Sequence, residues 1–334
     1  MTASGGIRCA IAGPGRIGSQ LESDRLREKP CTHAGAIAAD SDCILVGGCD
    51  IDGEARERFL EDWSPGTGNS LEVYADVHRM IDQAAPEILV VATYPESHRR
   101  LTEGAVRAGV PVVICEKPLA RTLRDARAIT RIHSSGRARV LVNHERRYSR
   151  DYIEARRAVT DRDYGKLLSI RGTLCFGSSH PRREVLLHDG THMLDAVNFL
   201  TGTTVRLRRR FGSMRGTKSS AFLYGRAGRV PVVLEIGSER DHLVFELELG
   251  FEHGRIRVGN GVYSFEKSGE SPYYEGYRSL APDPGAAPRP EKTNYFSGMI
   301  ADAVRCVREP GYRPLSSAPD ALEVMKFIKS VKTW

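Results

Sequence analysis

Three glycines and one aspartate carry the most explicit chemistry in this sequence. The apolar run Ile7–Ala12 reads as a buried strand and opens directly into Gly13-Pro14-Gly15-Arg16-Ile17-Gly18. A dinucleotide pyrophosphate requires this order. The first glycine makes the tight turn, the second lets main chain approach phosphate, and the third lets the next helix pack close to the sheet. Ile17 and Leu21 begin a helical pattern whose N-terminus offers unpaired N–H groups and a positive dipole end. Arg16 and Ile17 share the loop and are counted with the glycines as cofactor-binding. A second apolar run, 44–49, ends at Asp50, where a carboxylate would bond a ribose diol and repel a 2′-phosphate. NAD is therefore expected, with NADP disfavoured. Asp52 is a rival ligand, and Arg56 and Arg58 soften the preference.

Asp50 lies well beyond the usual interval of about 20 residues from the glycines. The polar stretch 22–32 accounts for the excess as an insertion in the first crossover, either a solvated loop or a lid lining the site.

The elements that must position these groups alternate strand and helix up to Tyr148. Strands are expected at 87–92, 110–115 and 140–143, and helices at 98–108 and 123–134. Such alternation predicts a parallel, doubly wound sheet, with ligands beyond the carboxyl ends of its strands. Thr93, Tyr94 and His98 follow one strand end, Glu116-Lys117-Pro118 the next, and His144 to Tyr148 the one after. The second half changes period. Short strands at 167–176, 206–212, 221–224, 230–236, 242–249, 255–258 and 262–266 predict a mostly antiparallel, open-faced sheet. Segment 271–292 reads as a long loop, and 295–307 and 317–331 as helices. The expected organisation is a cofactor-binding domain at 1–148 and a substrate-binding and oligomerisation α/β domain at 149–334.

Composition sets the outer bounds. A chain of 334 residues, 40% hydrophobic and 27% charged, suits two globular domains rather than disorder. Its apolar runs are too short for a membrane span, and the first residues lead into a strand without a signal-peptide pattern, so the cytoplasm is expected. The seven cysteines form no C-x-x-C pair and read as small core residues. The net charge of +7 is spread among acids, and the Arg206-Leu207-Arg208-Arg209-Arg210 cluster alternates like a strand with one solvated face. No nucleic-acid partner is expected.

The glycine fingerprint, Asp50, Glu116-Lys117-Pro118 and His188-Asp189-Gly190-Thr191-His192 together resemble the glucose-fructose oxidoreductase/inositol dehydrogenase (Gfo/Idh/MocA) family, in order and spacing along nearly the whole chain. The resemblance implies a Rossmann domain followed by an open-faced α/β domain. It also implies NAD(P)-dependent oxidation of a carbohydrate or cyclitol hydroxyl, and a homodimer or homotetramer. An open sheet covered on one face should leave an apolar face for that assembly.

The residues themselves suit that chemistry. Oxidising an alcohol needs a base for the hydroxyl proton and a surface where the carbon meets nicotinamide. Lys117 is the candidate to polarise or deprotonate the hydroxyl, against a structural salt bridge with Glu116 or another carboxylate. Glu116 reads as a ribose contact or as a support for its neighbours. His192 is the candidate general base in the first turn of a helix ended by Thr201-Gly202, where the dipole favours neutral imidazole. A capping or core histidine is the alternative. The family pattern has aspartate where His188 stands, so either the relay is histidine to histidine or Asp189 takes over orientation. His188 and His192 are also spaced for a metal, but no Glu follows the first and Gly190 interrupts the helix, so no metal is expected. Arg146, Tyr148, Arg182 and Arg183 are further substrate-binding candidates, with Arg147 and His180 beside them. The arginine forks suit an anionic sugar or a nucleotide sugar. The departure at His188 leaves two other readings: a redox-neutral enzyme holding NAD tightly, or a non-catalytic NAD-binding regulator.

Overall fold

The computed structural model describes residues 6–66, 71–176 and 180–332. The chain divides into two compact units, one of residues 1–148 and 292–322, the other of 149–291 and 323–334.

The first unit is a six-stranded parallel sheet. Its elements run β1 (Ile7–Ala12), α1 (His33–Ala39), β2 (Cys43–Cys49), α2 (Gly53–Trp63), β3 (Glu72–Tyr74), α3 (Val77–Ala84), β4 (Ile88–Val91), α4 (His98–Arg107), β5 (Val112–Cys115), α5 (Leu123–Ser134) and β6 (Arg139–Val142). The strand order is β3-β2-β1-β4-β5-β6, so the winding reverses between β1 and β4. The central strands read as near-continuous apolar runs because both faces are covered, with Arg8, Glu72 and Arg139 near strand starts as the exceptions. Cys9 and Ile11 of β1 face one core with Ala34 and Ile37 of α1, while Ala10 and Ala12 face the other with Met80 and Leu101.

The helix expected directly after the glycines is split. Main-chain bonds from His33 to Ile17 O (3.2 Å) and from Ala34 to Gly18 O (2.9 Å) stack α1 on the first turn as if His33 and Ala34 stood four residues later. The intervening chain is an excursion containing one 3-10 turn, Gln20–Ser23. His33 thus occupies the place of residue 21, an excess of twelve residues (33 minus 21). Removing those twelve sets Asp50 twenty positions past Gly18, at the ordinary spacing.

The second unit begins with α6 (Arg150–Asp161), β7 (Leu167–Cys175), α7 (Arg182–His188) and α8 (Gly190–Thr201). It continues with β8 (Val205–Phe211), β9 (Ser220–Ala227), β10 (Val230–Gly237), β11 (Val244–Phe251), β12 (Gly254–Gly259), β13 (Val262–Glu270) and β14 (Arg278–Pro282). These form one eight-stranded sheet, β14-β13-β12-β11-β7-β10-β9-β8, antiparallel except for β10 against β7. β14 lies inside the expected loop 271–292, paired to β13 from Glu270–Arg278 to Glu266–Pro282. Pro282 and Pro284 concealed it from a reading by composition.

Two expectations are corrected here. The region 149–334 is not one domain, because α9 (Tyr295–Arg308) returns to the first unit. There Phe296, Met299, Ile300 and Ala303 are buried with Ile11 and Ile114. Its successor α10 (Ala318–Lys332) begins in the first unit and ends in the second. Nor is the outer face of the second sheet apolar. Arg255 donates to both oxygens of Glu266 (2.6 and 3.1 Å), while Arg255 and Arg171 lie 3.6 and 3.7 Å from Glu248. This charged ladder replaces the apolar patch, leaving Phe211, Phe222 and Val233 as partly exposed groups toward the β8 edge. Among the described residues, no helix is long and apolar enough to cross a membrane.

Candidate functional site

The carboxyl edge of the first sheet gathers the cofactor candidates in one row. Main-chain bonds continue one residue past each strand: Asp50 N to Tyr74 O, Gly13 N to Cys49 O, Ala92 N to Ala12 O, Glu116 N to Val91 O, and Asn143 N to Cys115 O. Asp50, the glycine loop, Thr93, Glu116 with Lys117, and Asn143 therefore stand side by side across the reversal between β1 and β4, where open α/β sheets bind ligands.

The glycine loop fits a dinucleotide. Gly13 has φ +85°, and a Cβ there would lie 2.8 Å from Ala92 O. A Cβ on Gly18 would strike Gly13 O and come within 2.9 Å of Pro14 Cα, so that position allows no side chain without opening the turn. At Gly15 the reverse holds: a Cβ would meet no atom of the protein within 4 Å. This is open space beside main chain, the shape a pyrophosphate needs. Arg16 is exposed and Ile17 half-buried in the same turn.

Between the two ribose candidates, Asp52 is already committed. It caps α2 by accepting from Glu54 N at 3.1 Å, whereas the Asp50 carboxylate, among the described residues, accepts a local bond from Asp52 N through one oxygen at 3.0 Å. Arg56 donates to Asp50 O (2.8 Å), so it bonds main chain rather than reaching for a 2′-phosphate.

Several candidates are placed elsewhere than expected. His98 is fully buried, with Nε2 3.0 Å from Thr93 O and Nδ1 3.3 Å from Leu119 O. It ties two strand-end loops together instead of facing a cofactor, and burial holds its pKa below the ordinary histidine value despite those carbonyls. Tyr94 is 83% exposed, and the Thr93 hydroxyl bonds Ser97 Oγ at 2.6 Å. Tyr148 is buried and its hydroxyl donates to Asp302 Oδ2 at 2.7 Å, which removes it from the substrate candidates. Arg147 donates to Leu315 O (2.7 Å), a structural tie, while Arg146 is half-buried in the turn Glu145–Arg147.

Glu116 is 4% exposed and fully engaged. Its Oε1 meets His33 Nε2 at 2.8 Å and Asn143 Nδ2 at 2.5 Å, and its Oε2 accepts from Lys117 N at 3.1 Å. Burial pushes its pKa up, but bonding and charge from His33, the charge of Lys117 and the Asn143 bond outweigh burial and hold it below the ordinary value. Of the two readings given to it, this placement favours Glu116 as a support for its neighbours. His33 and Asn143 are contributors that spacing did not reveal, since they lie 83 and 27 residues from Glu116. Lys117 is half-buried at the start of the following turn.

In the second unit, His192 is buried in the first turn of α8, and its main-chain N–H donates to Asp189 O at 3.1 Å. Asp189 separates α7 from α8, so the i,i+4 pair His188 and His192 lies on two helices. His188 is about half exposed, 3.8 Å from Glu184 Oε2. Gly202, at φ +63°, ends α8 in the left-handed cap expected of it. Arg182 is buried and spends its guanidinium on Ser213 O (2.6 Å), Lys218 O (2.5 Å) and Ser219 O (3.1 Å). It staples a loop and is not available to a substrate anion. Arg183 is exposed beside Glu184 (3.5 Å), and His180 is exposed. Among the described residues there is no group of three or more His, Cys, Asp or Glu able to hold a metal.

Fold and glycine loop together define a dinucleotide-binding α/β protein. Residues 7–144 match the model of the Gfo/Idh/MocA oxidoreductase family, NAD-binding Rossmann fold. Among relatives, it is 30% identical over 143 residues to an inositol 2-dehydrogenase of Klebsiella pneumoniae, 42% of each chain. It is 30% identical over 173 residues to a D-apiose dehydrogenase of Paraburkholderia graminis, 49% of this chain and 44% of that one. These matches span less than half of either relative. Across the full length, the fold is that of a Bordetella pertussis dehydrogenase solved with NADH and UDP-GlcNAcA. The TM-score is 0.73 with 16% identity, covering all of this chain and 96% of the other.

Proposed function

We propose that this chain is an NAD-dependent oxidoreductase that moves a hydride between nicotinamide and a hydroxyl or keto carbon of a sugar, sugar derivative or cyclitol. The observation that carries the reading is the row of Asp50, the glycine loop and Glu116-Lys117 along one sheet edge, with the Gly15 main chain bordering open space. The inositol and apiose dehydrogenases among the relatives support the substrate class. When bound, nicotinamide supplies the hydride acceptor or donor. The chain's own residues supply the rest. Main-chain N–H groups of the loop hold the pyrophosphate, and Asp50 holds the adenosine ribose and disfavours a 2′-phosphate. Lys117 polarises the reacting oxygen, and His192 takes or returns its proton. The aspartate-to-histidine change at position 188 favours one second reading, a redox-neutral enzyme that retains NAD. Measuring NADH formation against a panel of sugars and inositols separates the two: released NADH supports the first, and turnover without net NADH supports the second.

A homodimer or homotetramer through the outer face of the second sheet is part of this proposal, supported by the Phe211, Phe222 and Val233 exposures beside the ladder. A monomer by light scattering at micromolar concentration would remove it.

A further inference from the structure

The net charge of +7 is not even along the chain. Residues 96–139 carry nine arginines and one lysine against four carboxylates, so this segment alone accounts for +6 of it. Six of those ten cations lie on two neighbouring helices of the first unit, α4 and α5. Consecutive right-handed crossovers place both helices on one side of the sheet. Arg99 ties them together, donating from Nη1 to Asp125 Oδ1 at 3.0 Å.

The helices turn this charge outward. In α5, Ala126, Ile129 and Ile132 are buried, and Arg124, Arg127 and Arg131 stand exposed on the opposite stripe. In α4, Leu101, Thr102 and Ala105 are buried, while Arg100 and Arg107 are exposed. The two carboxylates on these helices are both spent on Arg99, since Glu103 Oε1 accepts from its Nε at 2.8 Å and Asp125 from its Nη1. Of the other five arginines, Arg124 is 3.6 Å from Asp125 and Arg107 donates to Glu103 O at 3.2 Å. Arg100, Arg127 and Arg131 form no ion pair among the described residues. Helix dipoles account for only part of this pattern. Arg107 and Arg131 stand in last turns, where a cation is favoured, but Arg124 is the second residue of α5, at the end that repels it.

What such a face can hold follows from what it lacks. Among the described residues, no large apolar side chain is exposed between 98 and 139. A protein interface needs an apolar core, and a membrane surface needs apolar anchors. A nucleic-acid backbone needs neither, because its affinity comes from cations that neutralise phosphates. Arginine forks also match phosphate oxygens in pairs. We propose that the α4–α5 face binds the phosphodiester backbone of duplex nucleic acid, without reading its sequence, through Arg100, Arg107, Arg124, Arg127 and Arg131. The face belongs to the helical layer, whereas Asp50, the glycine loop and Lys117 stand at strand ends, so this binding does not depend on the reaction proposed above.

Fluorescence anisotropy with full-length protein and a short labelled DNA duplex of arbitrary sequence tests the face directly. Five neutralised phosphates give a slope of log K against log salt of about −4.5, read between roughly 50 and 200 mM potassium chloride. The double variant Arg127→Glu with Arg131→Glu should weaken binding at least about tenfold at the low-salt end and lower the magnitude of the slope by about two. Should that charge reversal not fold, Arg127→Gln with Arg131→Gln should lower the slope by the same amount. Arg208→Glu with Arg209→Glu, on β8 of the second unit, should change DNA affinity less than about twofold, and NAD affinity should be unchanged in every variant. No binding at the lowest salt, or a slope that the α5 variants leave intact, would overturn the docking surface. Equal affinity for polyglutamate or for phosphatidylserine vesicles at the same salt would overturn it as well. So would low-salt self-association that the α5 variants abolish while DNA goes unbound, since the face would then belong to a second copy of the chain.

Discussion

Replacing Gly15 with alanine should separate stability from cofactor binding. The added Cβ meets no protein atom within 4 Å, and the residue lies outside the left-handed region, so the fold accommodates it. A glycine-to-alanine change at a compatible position stabilises by about 0.4–1 kcal/mol through the unfolded chain, so thermal stability without NAD should be unchanged or rise by a few degrees at most. Binding should move the other way. The methyl group enters the space where main chain must approach the pyrophosphate, and each N–H bond to a charged group contributes about 1.5–3 kcal/mol. Loss of one or two such bonds, with partial compensation by water, leaves a deficit of ~2–4 kcal/mol, or roughly 30- to 1000-fold in Kd. Calorimetric titration with NAD beside thermal unfolding of the apo protein reads both quantities. Gly18→Ala is the contrast, because its Cβ strikes the main chain at Gly13 and Pro14, and both stability and affinity should fall. A Gly15→Ala protein that binds NAD like wild type would show that no phosphate approaches Gly15, and the cofactor loop would have been misread.

Other expectations follow from the same geometry. Wild-type protein should bind NAD at least about tenfold more tightly than NADP, and Asp50→Ser should erase most of that ratio while Asp52→Ser leaves it intact, as fluorescence titration would show. Lys117→Ala and His192→Ala should each lower kcat by roughly 10²–10⁴ with little change in NAD affinity; full turnover in either variant would remove that residue from the proposed chemistry. His188→Asp should preserve or raise dehydrogenase turnover if His188 only orients His192, and abolish turnover if His188 carries a proton of its own.

The first unit was legible because its signals are local. Strand runs covered on both faces, the glycine loop, and Thr32, Asp52, Asp76 and Thr122 as side-chain caps all act within a few residues. The displaced Asp50 was legible as well, once polar residues 22–32 were set aside as an insertion. What that insertion does was not legible: Glu28 meets Thr293 and Asn294 across 265 or more residues, and no spacing encodes such a pairing. His98 and Arg182 show the same limit from another side. Their types suit ligand binding, but burial commits both to main-chain carbonyls, and burial depends on packing partners distant in sequence. The return of α9 to the first unit escaped for that reason too, since its apolar stripe specifies a face and not which sheet the face covers. The charged ladder is a different case. Arg171, Glu248, Arg255 and Glu266 alternate with buried neighbours in their own strands, so the polarity of the outer face was written in the sequence. The expected apolar face followed from a sheet covered on one side only and passed over these charged positions.

The central claim, that this chain oxidises a CH–OH group with NAD, is met most directly by one assay. Purified full-length protein is mixed with NAD and a panel of inositols, pentoses, hexoses, sugar acids and nucleotide sugars, and NADH release is followed beside the formation of keto product. At least one substrate should give NADH and ketone in equal amounts, and Lys117→Ala should slow that reaction by at least about a hundredfold. Protein that binds NAD yet releases no NADH with any member of the panel, or that converts a sugar with no net change in NAD, would contradict the account.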